Sequence, residues 1–282
     1  MILIADGGST KIEWCLLVNQ TVIKRFVTRG LNPVMLTKEE ITDRLEIDLS
    51  GELSPWRDEL RTVYFYGAGC IPGEISDMMR EAIRPIVGPR PDIDVNNDLL
   101  SAARALCGSH SGITCILGTG SNSCYYDGET IIDNISPLGF ILGDEGSGAV
   151  LGRQLICDVL KHQLPDYICA EFLSQYKLDA HKIIRRVYRD PSPNRFLASL
   201  SPFLHEHLDI PEIRHLVKHQ FELFFKRNVS NYRKYNDTSV NFVGSIAFFY
   251  QDILHEAADQ AGYTIAKIIR SPMDGLIQYH KG

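Results

Sequence analysis

Short apolar runs that end in glycine-rich turns occur at the start of both halves of the chain. Residues 1–5 form an apolar run followed by a polar turn at 6–10, and residues 113–117 form a second run followed by a turn at 118–121. Aliphatic runs of this length, bounded by turn residues, predict buried β-strands. Further strands are predicted at 12–18, 21–28, 62–66, 93–95, 122–127, 129–133, 240–243 and 263–269.

Apolar positions at helical spacing predict the helices that connect these strands. Residues 38–60 have the pattern of a helix followed by a loop. The other predicted helices are 74–87, 99–107, 145–163, 179–189, 194–206, 211–234, 246–262 and 272–280. Most of the predicted helical residues follow residue 144. The second half is therefore predicted to carry an insertion of helices.

The two halves form a weak internal repeat. When Gly8 is aligned with Gly120, Ser9 falls on Ser121, and each pair follows a run of aliphatic residues. A length of 282 residues is enough for two modest domains. We therefore expect an N-terminal domain of residues 1–107 and a C-terminal domain of residues 108–282, whose terminal helix at about 272–282 is able to pack back on the first domain.

Composition limits the partners that the protein can have. Hydrophobic residues make up 44% of the chain, which is enough for a substantial core. The formal net charge is −6, so we expect neither nucleic acid nor an anionic membrane surface as a partner. An anionic ligand would have to be held locally by backbone amides, a lysine or Mg²⁺.

The cysteines and the hydropathy of the chain indicate the cellular compartment in which we expect the protein. The seven cysteines are odd in number and none has CxxC spacing, which favours a reduced environment over a disulfide framework. No N-terminal signal peptide is visible, and no apolar stretch reaches the length of about 18 residues that a membrane span requires. We therefore expect a cytoplasmic protein.

The first turn has the chemistry of a phosphate and metal site. Gly7 and Gly8 permit close approach of a ligand to the backbone, and successive N–H groups of such a turn form a concavity that binds anions. Asp6, at the end of the strand, is able to hold a hydrated Mg²⁺ because hard cations prefer oxygen ligands. The alternative is a plain hairpin, since Asp-Gly is among the commonest turn pairs.

Two later segments offer related chemistry. The turn at 118–122 supplies backbone amides and two hydroxyl groups near a phosphate, although it too has a hairpin as its alternative. At 240–247 a strand stops at Gly244 and a helix begins, so an adenine or ribose would be able to rest on the backbone there. The alternative for this segment is simple packing of a strand against a helix. No Walker-type GxxxxGK[ST] loop occurs.

In this order, the three segments resemble the phosphate-1, phosphate-2 and adenosine motifs of the actin-like ATPase superfamily. The sequences LGTGSN at 117–122 and GDEGS at 143–147 narrow the resemblance to the N-acetylglucosamine kinases and their relatives in the BadF/BadG/BcrA/BcrD ATPase group. The resemblance covers nearly the whole chain in motif order. It implies an α/β, two-domain actin-like ATPase (ribonuclease H-like) fold with a cleft between an N-terminal acceptor domain and a C-terminal nucleotide domain.

The resemblance also assigns a catalytic base. In that family an aspartate after a central strand accepts the proton of the sugar hydroxyl, and the matching residue here is Asp98. This residue follows the strand predicted at 93–95, and ligands bind at the carboxyl edge of α/β sheets. A carboxylate suits the task, because it accepts the proton as the phosphoryl group transfers. The alternative is an N-cap for the next helix, but Asn97 is also able to supply that cap.

The remaining site residues follow from the same resemblance. It implies ATP and Mg²⁺ as cofactors and a small sugar as substrate, with a homodimer as a family-level expectation. The residues implied for the nucleotide are Gly7, Gly8, Ser9, Thr10, Lys11, Gly118, Thr119, Gly120, Ser121, Gly244 and Ser245. The residues implied for the sugar are Asn32, Asp98, Gly143, Asp144, Glu145 and Ser147. Asp6 and Asp144 are implied to hold the metal, the latter through water.

Two alternatives to direct sugar contact remain open. The acidic pair at 144–145 is also explained by a helix dipole, near which acids contribute about 0.3–1 kcal/mol. Asn32 precedes a proline, and Asn-Pro commonly begins an ordinary turn. The chain also has Ser-Pro-Leu-Gly at 136–139, where N-acetylglucosamine kinases often carry Gly-Gly-Trp-Gly, so the sugar itself is left open.

The predicted reaction is transfer of the ATP γ-phosphoryl group to N-acetylglucosamine or a related amino sugar, most readily at the 6-hydroxyl. One alternative is an ATPase activator of a 2-hydroxyacyl-CoA dehydratase, which would need accessible cysteines for an iron–sulfur cluster. The cysteines here lie mostly in aliphatic runs and are predicted to be core residues. The other alternative is a regulator that binds nucleotide or sugar without turnover.

Overall fold

The described residues divide into two units. A computed structural model describes residues 1–8 and 10–281. The first unit comprises Met1–Ser109 together with the C-terminal segment that starts at Pro272, and the second comprises His110–Ser271.

Ten strands are present in the described part of the chain. They are β1 (Ile2–Gly7), β2 (Lys11–Val18), β3 (Thr21–Arg29), β4 (Thr62–Gly67), β5 (Asp92–Asn97), β6 (Gly112–Leu117), β7 (Ser121–Tyr126), β8 (Ile131–Ile135), β9 (Ser239–Val243) and β10 (Thr264–Ile269). Every strand that the hydrophobic pattern predicts is present, although some bounds differ: β1 continues through Asp6 and Gly7, and β8 begins at Ile131, two residues later than predicted.

Thirteen α-helices are found among the described residues. They are α1 (Lys38–Leu53), α2 (Glu74–Val87), α3 (Asp98–Cys107), α4 (Gly139–Leu142), α5 (Gly148–Leu160), α6 (Asp166–Gln175), α7 (Ala180–Tyr188), α8 (Pro193–Ala198), α9 (Ser201–Glu206), α10 (Pro211–Arg227), α11 (Ser245–Phe249), α12 (Gln251–Ala261) and α13 (Met273–Lys281). Short 3₁₀ helices lie at Pro33–Met35, Arg57–Glu59 and Val229–Tyr235.

The same sheet topology occurs in both units. The first sheet has the strand order β3-β2-β1-β4-β5 and the second has the order β10-β9-β6-β7-β8. In each, three consecutive strands form an antiparallel meander, and the last two strands run parallel to the first strand of the meander. This is the ribonuclease H-like arrangement, and its duplication explains the weak repeat of the glycine turns.

Each unit has its own hydrophobic core. In the first, Trp14 is fully buried and its ring stacks on Phe26 with centroids 6.1 Å apart. In the second, Phe224 and Phe225 pack around Phe242 of β9. Burial of aromatic side chains contributes a large share of the hydrophobic stabilisation in such cores. Separate cores are expected when two domains of this size fold as units.

Several predicted helices differ from the observed ones. The helix predicted at 194–206 is divided into α8 and α9, because Pro202 stands in the first turn of α9 and has no N–H to continue the preceding helix. The prediction at 211–234 was also too long, since α10 ends at Arg227 and a 3₁₀ helix follows. Helix α6 was not predicted, although Asp166 in its first turn was an available start signal.

None of the described helices combines the length and hydropathy that crossing a membrane requires.

Close helix packing in the second unit depends on Gly152. A methyl group at Gly152 of α5 would lie 1.9 Å from the carbonyl oxygen of Leu197 in α8. The variant Gly152→Ala is therefore expected to lower the free energy of unfolding by about 1–3 kcal/mol, the usual range for overpacking. Chemical denaturation followed by circular dichroism measures the change.

Gly51→Ala is the matched control. Gly51 lies in α1 and an added methyl group there would meet nothing within 4 Å. Alanine has the higher helix propensity, so this variant should gain up to about 1 kcal/mol. A Gly152→Ala protein as stable as the Gly51→Ala protein would show that α5 and α8 do not require this close approach.

Candidate active site

Three parallel strands bring the candidate acidic residues of the first unit to one edge of its sheet. Gly7 of β1 is in register with Gly67 of β4, which is in register with Asn97 of β5. Asp6 and Asp98 lie beside these positions, at the carboxyl ends of β1 and β5. This edge is where open α/β sheets bind ligands, because the loops that follow parallel strands meet there.

Asp6 is a partly buried carboxylate held by a serine. The hydroxyl of Ser101 in α3 donates to Asp6 Oδ1 over 2.7 Å. Burial is the main cause that raises the pKa of Asp6 to about 7; the Ser101 hydrogen bond opposes this rise, and the nearby charge of Asp98 adds to it. Asp6 therefore carries its negative charge in the folded protein only at an energetic cost.

Asp98 begins α3 without acting as its cap. The side chain of Asn97 accepts a hydrogen bond from the Leu100 amide over 2.8 Å and so caps the helix. Burial raises the pKa of Asp98, whereas the backbone amides of Asp98 and Leu99 lower it. Asn97 is therefore the cap of α3, which settles the alternative that the sequence left open. The helix does not need the Asp98 carboxylate as its cap.

Asn32 lies beside the loop that follows β4. Its Oδ1 accepts from the Val34 amide over 3.2 Å and caps the 3₁₀ helix Pro33–Met35. Gly69 has a positive φ of 79°, and a methyl group there would lie 3.1 Å from Asn32 Oδ1. Asn32 therefore does act as a turn residue, the alternative that the sequence left open. The fold also brings its side chain to the carboxyl edge of the first sheet.

The first glycine turn lies between β1 and β2, which pair as an antiparallel hairpin. The Gly8 amide donates to the carbonyl of Lys11 over 2.9 Å, and the Gly7 carbonyl accepts from Ala68 over 2.8 Å. Thr10 and Lys11 have exposed side chains. The nucleotide role predicted for Ser9 falls outside the described residues. The hairpin alternative is thus present here, and it does not exclude phosphate contact.

The second glycine turn has free amide donors. Its carbonyls at Gly118 and Thr119 accept from Gly148 and Ala149, the first two residues of α5, over 2.8 and 3.1 Å. The Gly118 amide is used within the turn, where it donates to the Gly120 carbonyl. Within residues 1–8 and 10–281, the amides of Thr119 and Gly120 have no protein acceptor. The turn therefore presents two N–H groups that suit an anion.

Asp144 lies directly over this turn. Its Oδ1 accepts from the Ser121 amide at 3.3 Å, and a methyl group at Gly120 would lie 3.2 Å from its Oδ2. The pKa of Asp144 is raised to about 6, mainly by burial and in part by the charge of Glu145, against the lowering effect of the Ser121 amide. Asp144 has a φ of 53°, a left-handed conformation that an aspartate adopts more readily than most residues.

The other residues of the GDEGS segment have internal partners. Glu145 accepts from Arg227 at 2.7 Å and from Asn228 at 3.3 Å. Ser147 is fully buried and caps α5 by accepting from an amide one turn later. A methyl group at Gly143 would lie 2.1 Å from the Pro137 carbonyl oxygen. Direct sugar contact by these residues therefore stays a prediction.

Gly244 allows β9 and β6 to approach at their ends. It has a φ of 126°, and a methyl group on it would lie 2.2 Å from the carbonyl oxygen of Leu117. Close packing at the strand ends therefore requires a glycine at this position. This is the packing alternative that the sequence left open. The same contact also brings the start of α11 at Ser245 next to the second glycine turn.

The sequence interpretation missed Ser101. This residue is fully buried, lies three positions after Asp98 and therefore shares a helix face with it. The spacing was visible in the sequence, but the partner of Ser101 is Asp6, which lies on another element. Such a pair is revealed only when β1 and α3 pack together.

Each unit carries desolvated carboxylates that suit a hydrated magnesium ion. Among the described residues, no lysine, arginine or histidine nitrogen forms an ion pair within 4.0 Å of the carboxylates of Asp6, Asp98 or Asp144. Carboxylates that are desolvated and lack a cationic partner gain from a hard divalent ion. No group of three or more His, Cys, Asp or Glu side chains in the described ranges forms a protein-only metal cage. Mg²⁺ held through water is compatible with both observations.

Comparison with solved structures identifies the fold. A candidate N-acetylglucosamine kinase from Porphyromonas gingivalis matches with 47% identity and a TM-score of 0.96, over 100% of this chain and 99% of that one. A second candidate kinase, from Chromobacterium violaceum, has 16% identity and a TM-score of 0.75 over 99% and 98% of the two chains. A ROK family glucokinase from Streptomyces griseus, solved with glucose and AMPPNP, has 13% identity and a TM-score of 0.63 over 98% and 97%.

The two duplicated units thus form the two-domain, actin-like ATPase fold of the sugar kinases. Identity of 47% over the full length shows that the chain belongs to the family of the Porphyromonas gingivalis protein, the N-acetylglucosamine kinase-like members of this superfamily. No family model matches the sequence. No curated protein matches it either.

The raised pKa of Asp6 predicts a pH-dependent stability. The unfolded chain ionises Asp6 near 3.8 and the folded protein near 7, so the free energy of unfolding should fall as pH rises between these values. Asp6→Asn removes the ionisation and keeps an acceptor for Ser101. Without Mg²⁺ or nucleotide, the variant should therefore gain about 2–4 kcal/mol over wild type between pH 4 and pH 8.

Urea denaturation at a series of pH values measures this gain. Asp92→Asn is the matched control, because Asp92 is exposed at the start of β5. The two variants should differ at pH 8 and agree at pH 4. Parallel pH curves for Asp6→Asn and wild type would show that Asp6 ionises normally in the folded protein.

Proposed function

We propose that the protein is an ATP-dependent kinase that phosphorylates N-acetylglucosamine or a related amino sugar at its 6-hydroxyl. The observation that carries this proposal is the Asp98 carboxylate. It lies at the carboxyl edge of the first sheet, it is desolvated, and Asn97 rather than Asp98 caps the helix that follows. A desolvated carboxylate without a structural task is typical of a general base.

Asp98 would orient the sugar hydroxyl and accept its proton. Its pKa is raised by burial, so the carboxylate is a stronger base than an exposed aspartate. Phosphoryl transfer depends chiefly on positioning and charge stabilisation, and a base of this kind aligns the attacking oxygen with the γ-phosphate. Asn32 would donate to or accept from a second sugar hydroxyl at the same sheet edge.

The second glycine turn would hold the phosphates of ATP. Its free amides at Thr119 and Gly120 offer donors without the need for reorganisation, because α5 already fixes the carbonyls of the turn. Gly118 and Ser121 would complete this cradle, and Gly7, Gly8, Ser9, Thr10 and Lys11 would form the other. Gly244 and Ser245 would face the adenosine.

Mg²⁺, when bound, would neutralise charge on the phosphates. Asp6 and Asp144 would hold its water ligands, since both are desolvated carboxylates. Gly143, Asp144, Glu145 and Ser147 would shape the approach of the sugar. Arg227 holds the Glu145 carboxylate at 2.7 Å, which would keep that acid from competing for the cation.

The relatives support this assignment. The Porphyromonas gingivalis protein is named as a candidate N-acetylglucosamine kinase, and the Streptomyces griseus glucokinase was solved with glucose and AMPPNP. Both names are consistent with a sugar acceptor and a nucleotide donor for this chain. The amino sugar and its 6-hydroxyl rest on the motifs LGTGSN and GDEGS.

The cysteines favour the kinase over the dehydratase activator. Five of the seven are buried, Cys107 is half-buried, and Cys157 is exposed. A cluster shared between two subunits would need accessible thiolates. No two cysteines of the described residues form a disulfide, which suits a reducing compartment. A homodimer stays a prediction from the family resemblance.

An ADP-release assay across a sugar panel tests the proposed activity. N-acetylglucosamine or N-acetylmannosamine should release ADP in step with the sugar phosphate, whereas glucosamine and glucose should react more slowly. Mass spectrometry of the product, followed by NMR, identifies the phosphorylated oxygen. If ATP binds but every sugar is inert, the protein is a non-catalytic regulator and the kinase proposal is wrong.

Asp98→Asn tests the assigned base. Asparagine keeps the shape of the side chain but accepts no proton, so kcat should fall by about 10²–10⁴-fold. ATP affinity, measured by calorimetry, should stay unchanged because Asp98 is not assigned to the nucleotide. Asp92→Asn, at the exposed start of the strand that precedes Asp98, should keep wild-type turnover. Full turnover by Asp98→Asn would remove Asp98 from the mechanism.

A further inference from the structure

A polar cluster in the first unit joins its sheet to the C-terminal helix. His280 of α13 lies 2.9 Å from the hydroxyl of Tyr66 in β4, measured at Nε2. Its ring stacks on Tyr64 of the same strand, with centroids 3.8 Å apart. Tyr66 is fully buried, so this hydroxyl depends on protein partners for its hydrogen bonds.

The direction of these hydrogen bonds follows from Arg104. Arginine only donates, and its Nη1 lies 2.7 Å from the Tyr66 hydroxyl, which therefore accepts from it. The Tyr66 O–H is then left to donate to His280 Nε2. Burial and, to a smaller extent, the Arg104 charge lower the pKa of His280 to about 4, so the ring is neutral and able to accept.

Arg104 lies on the helix that carries the acidic site. Asp98, Ser101 and Arg104 occur at intervals of three along α3, and such residues share one helix face. Ser101 binds Asp6 of β1, and Arg104 binds Tyr66 of β4. Two hydrogen bonds on successive turns thus hold α3 against the sheet, and the second of them is completed by His280.

Helix α13 also packs directly against α3. A methyl group at Gly275 would lie 2.3 Å from the carbonyl oxygen of Ala105, so the two helices touch at the backbone. The ends of α13 are tied to the meander as well. Asp274 pairs with Arg25, and Gln20 donates to the Lys281 carbonyl at 2.9 Å. The position of α3 therefore depends on a segment that lies far from it in sequence.

We propose that His280 is a positioning residue for phosphoryl transfer: through Tyr66 and Arg104 it sets the position of α3, and with it that of Asp98 and of the Ser101–Asp6 pair. This inference rests on the role proposed for Asp98. A displacement of about 1 Å at a reacting group lowers turnover by about 10²-fold. Loss of the His280 acceptor leaves the Tyr66 O–H without its partner, and the Arg104 contact should loosen as a result.

The test compares two substitutions at one position. His280→Ala removes the acceptor, whereas His280→Gln supplies an amide oxygen at a similar distance along the side chain. We expect His280→Ala to lower kcat by about tenfold or more with the KM for ATP unchanged, and His280→Gln to restore most of the lost kcat. Hydrogen exchange in α3 of the ligand-free protein should speed up in the alanine variant and return towards wild type in the glutamine variant.

Two controls separate positioning from general stability. Gln278→Ala changes an exposed residue of the same helix and should behave as wild type. Leu49→Ala empties a fully buried position in α1 and should lower the unfolding midpoint without affecting exchange in α3. Unfolding midpoints show whether the stability of His280→Ala lies between the stabilities of these two controls.

The proposal is overturned if His280→Ala keeps wild-type kcat, or if exchange in α3 does not change. It is also overturned if Leu49→Ala loses kcat in proportion to its loss of stability and His280→Ala shows the same proportion. Should the wild-type protein phosphorylate none of the sugars, the proposed function fails by itself. In that case exchange in α3 alone decides whether His280 positions the helix.

Discussion

Desolvation of carboxylates at the ends of parallel strands is the constraint on which the rest of the structure depends. Asp6 and Asp98 lose water at the carboxyl edge of the first sheet, and Asp144 loses it above the second glycine turn. Buried charge without a partner is costly, so these side chains oppose folding at neutral pH. Such a cost is typical of functional sites, where binding of a cation or transfer of a proton offsets it.

The surrounding structure is organised to hold these groups. Asn97 caps α3 and leaves Asp98 free, while Ser101 fixes one oxygen of Asp6. In the second unit, the first amides of α5 donate to the carbonyls of the glycine turn, and the Thr119 and Gly120 amides have no protein acceptor among the described residues. In both units a helix positions a turn or a carboxylate, and it does so through hydrogen bonds rather than ion pairs.

The C-terminal helix extends this organisation. Although α13 is the last element of the chain, it belongs to the first unit and touches α3 at Gly275. Backbone contact of this kind transmits a displacement directly, since no side chain can adjust between the two helices. The neutral His280 and the charged Arg104 share one tyrosine hydroxyl, which links the packing of α13 to the sheet edge.

The sequence by itself determined the strands, the repeat of glycine turns and the acidic candidates, because short apolar runs, Asp-Gly turns and strand ends are local features. It did not separate α8 from α9 at Pro202, and it left the cap of α3 open between Asn97 and Asp98. The pairing of Ser101 with Asp6, of Glu145 with Arg227 and of His280 with Tyr66 was decided by the tertiary structure. The physical reason is that each pair joins elements distant in sequence, and only packing sets the distances and the desolvation on which their chemistry depends.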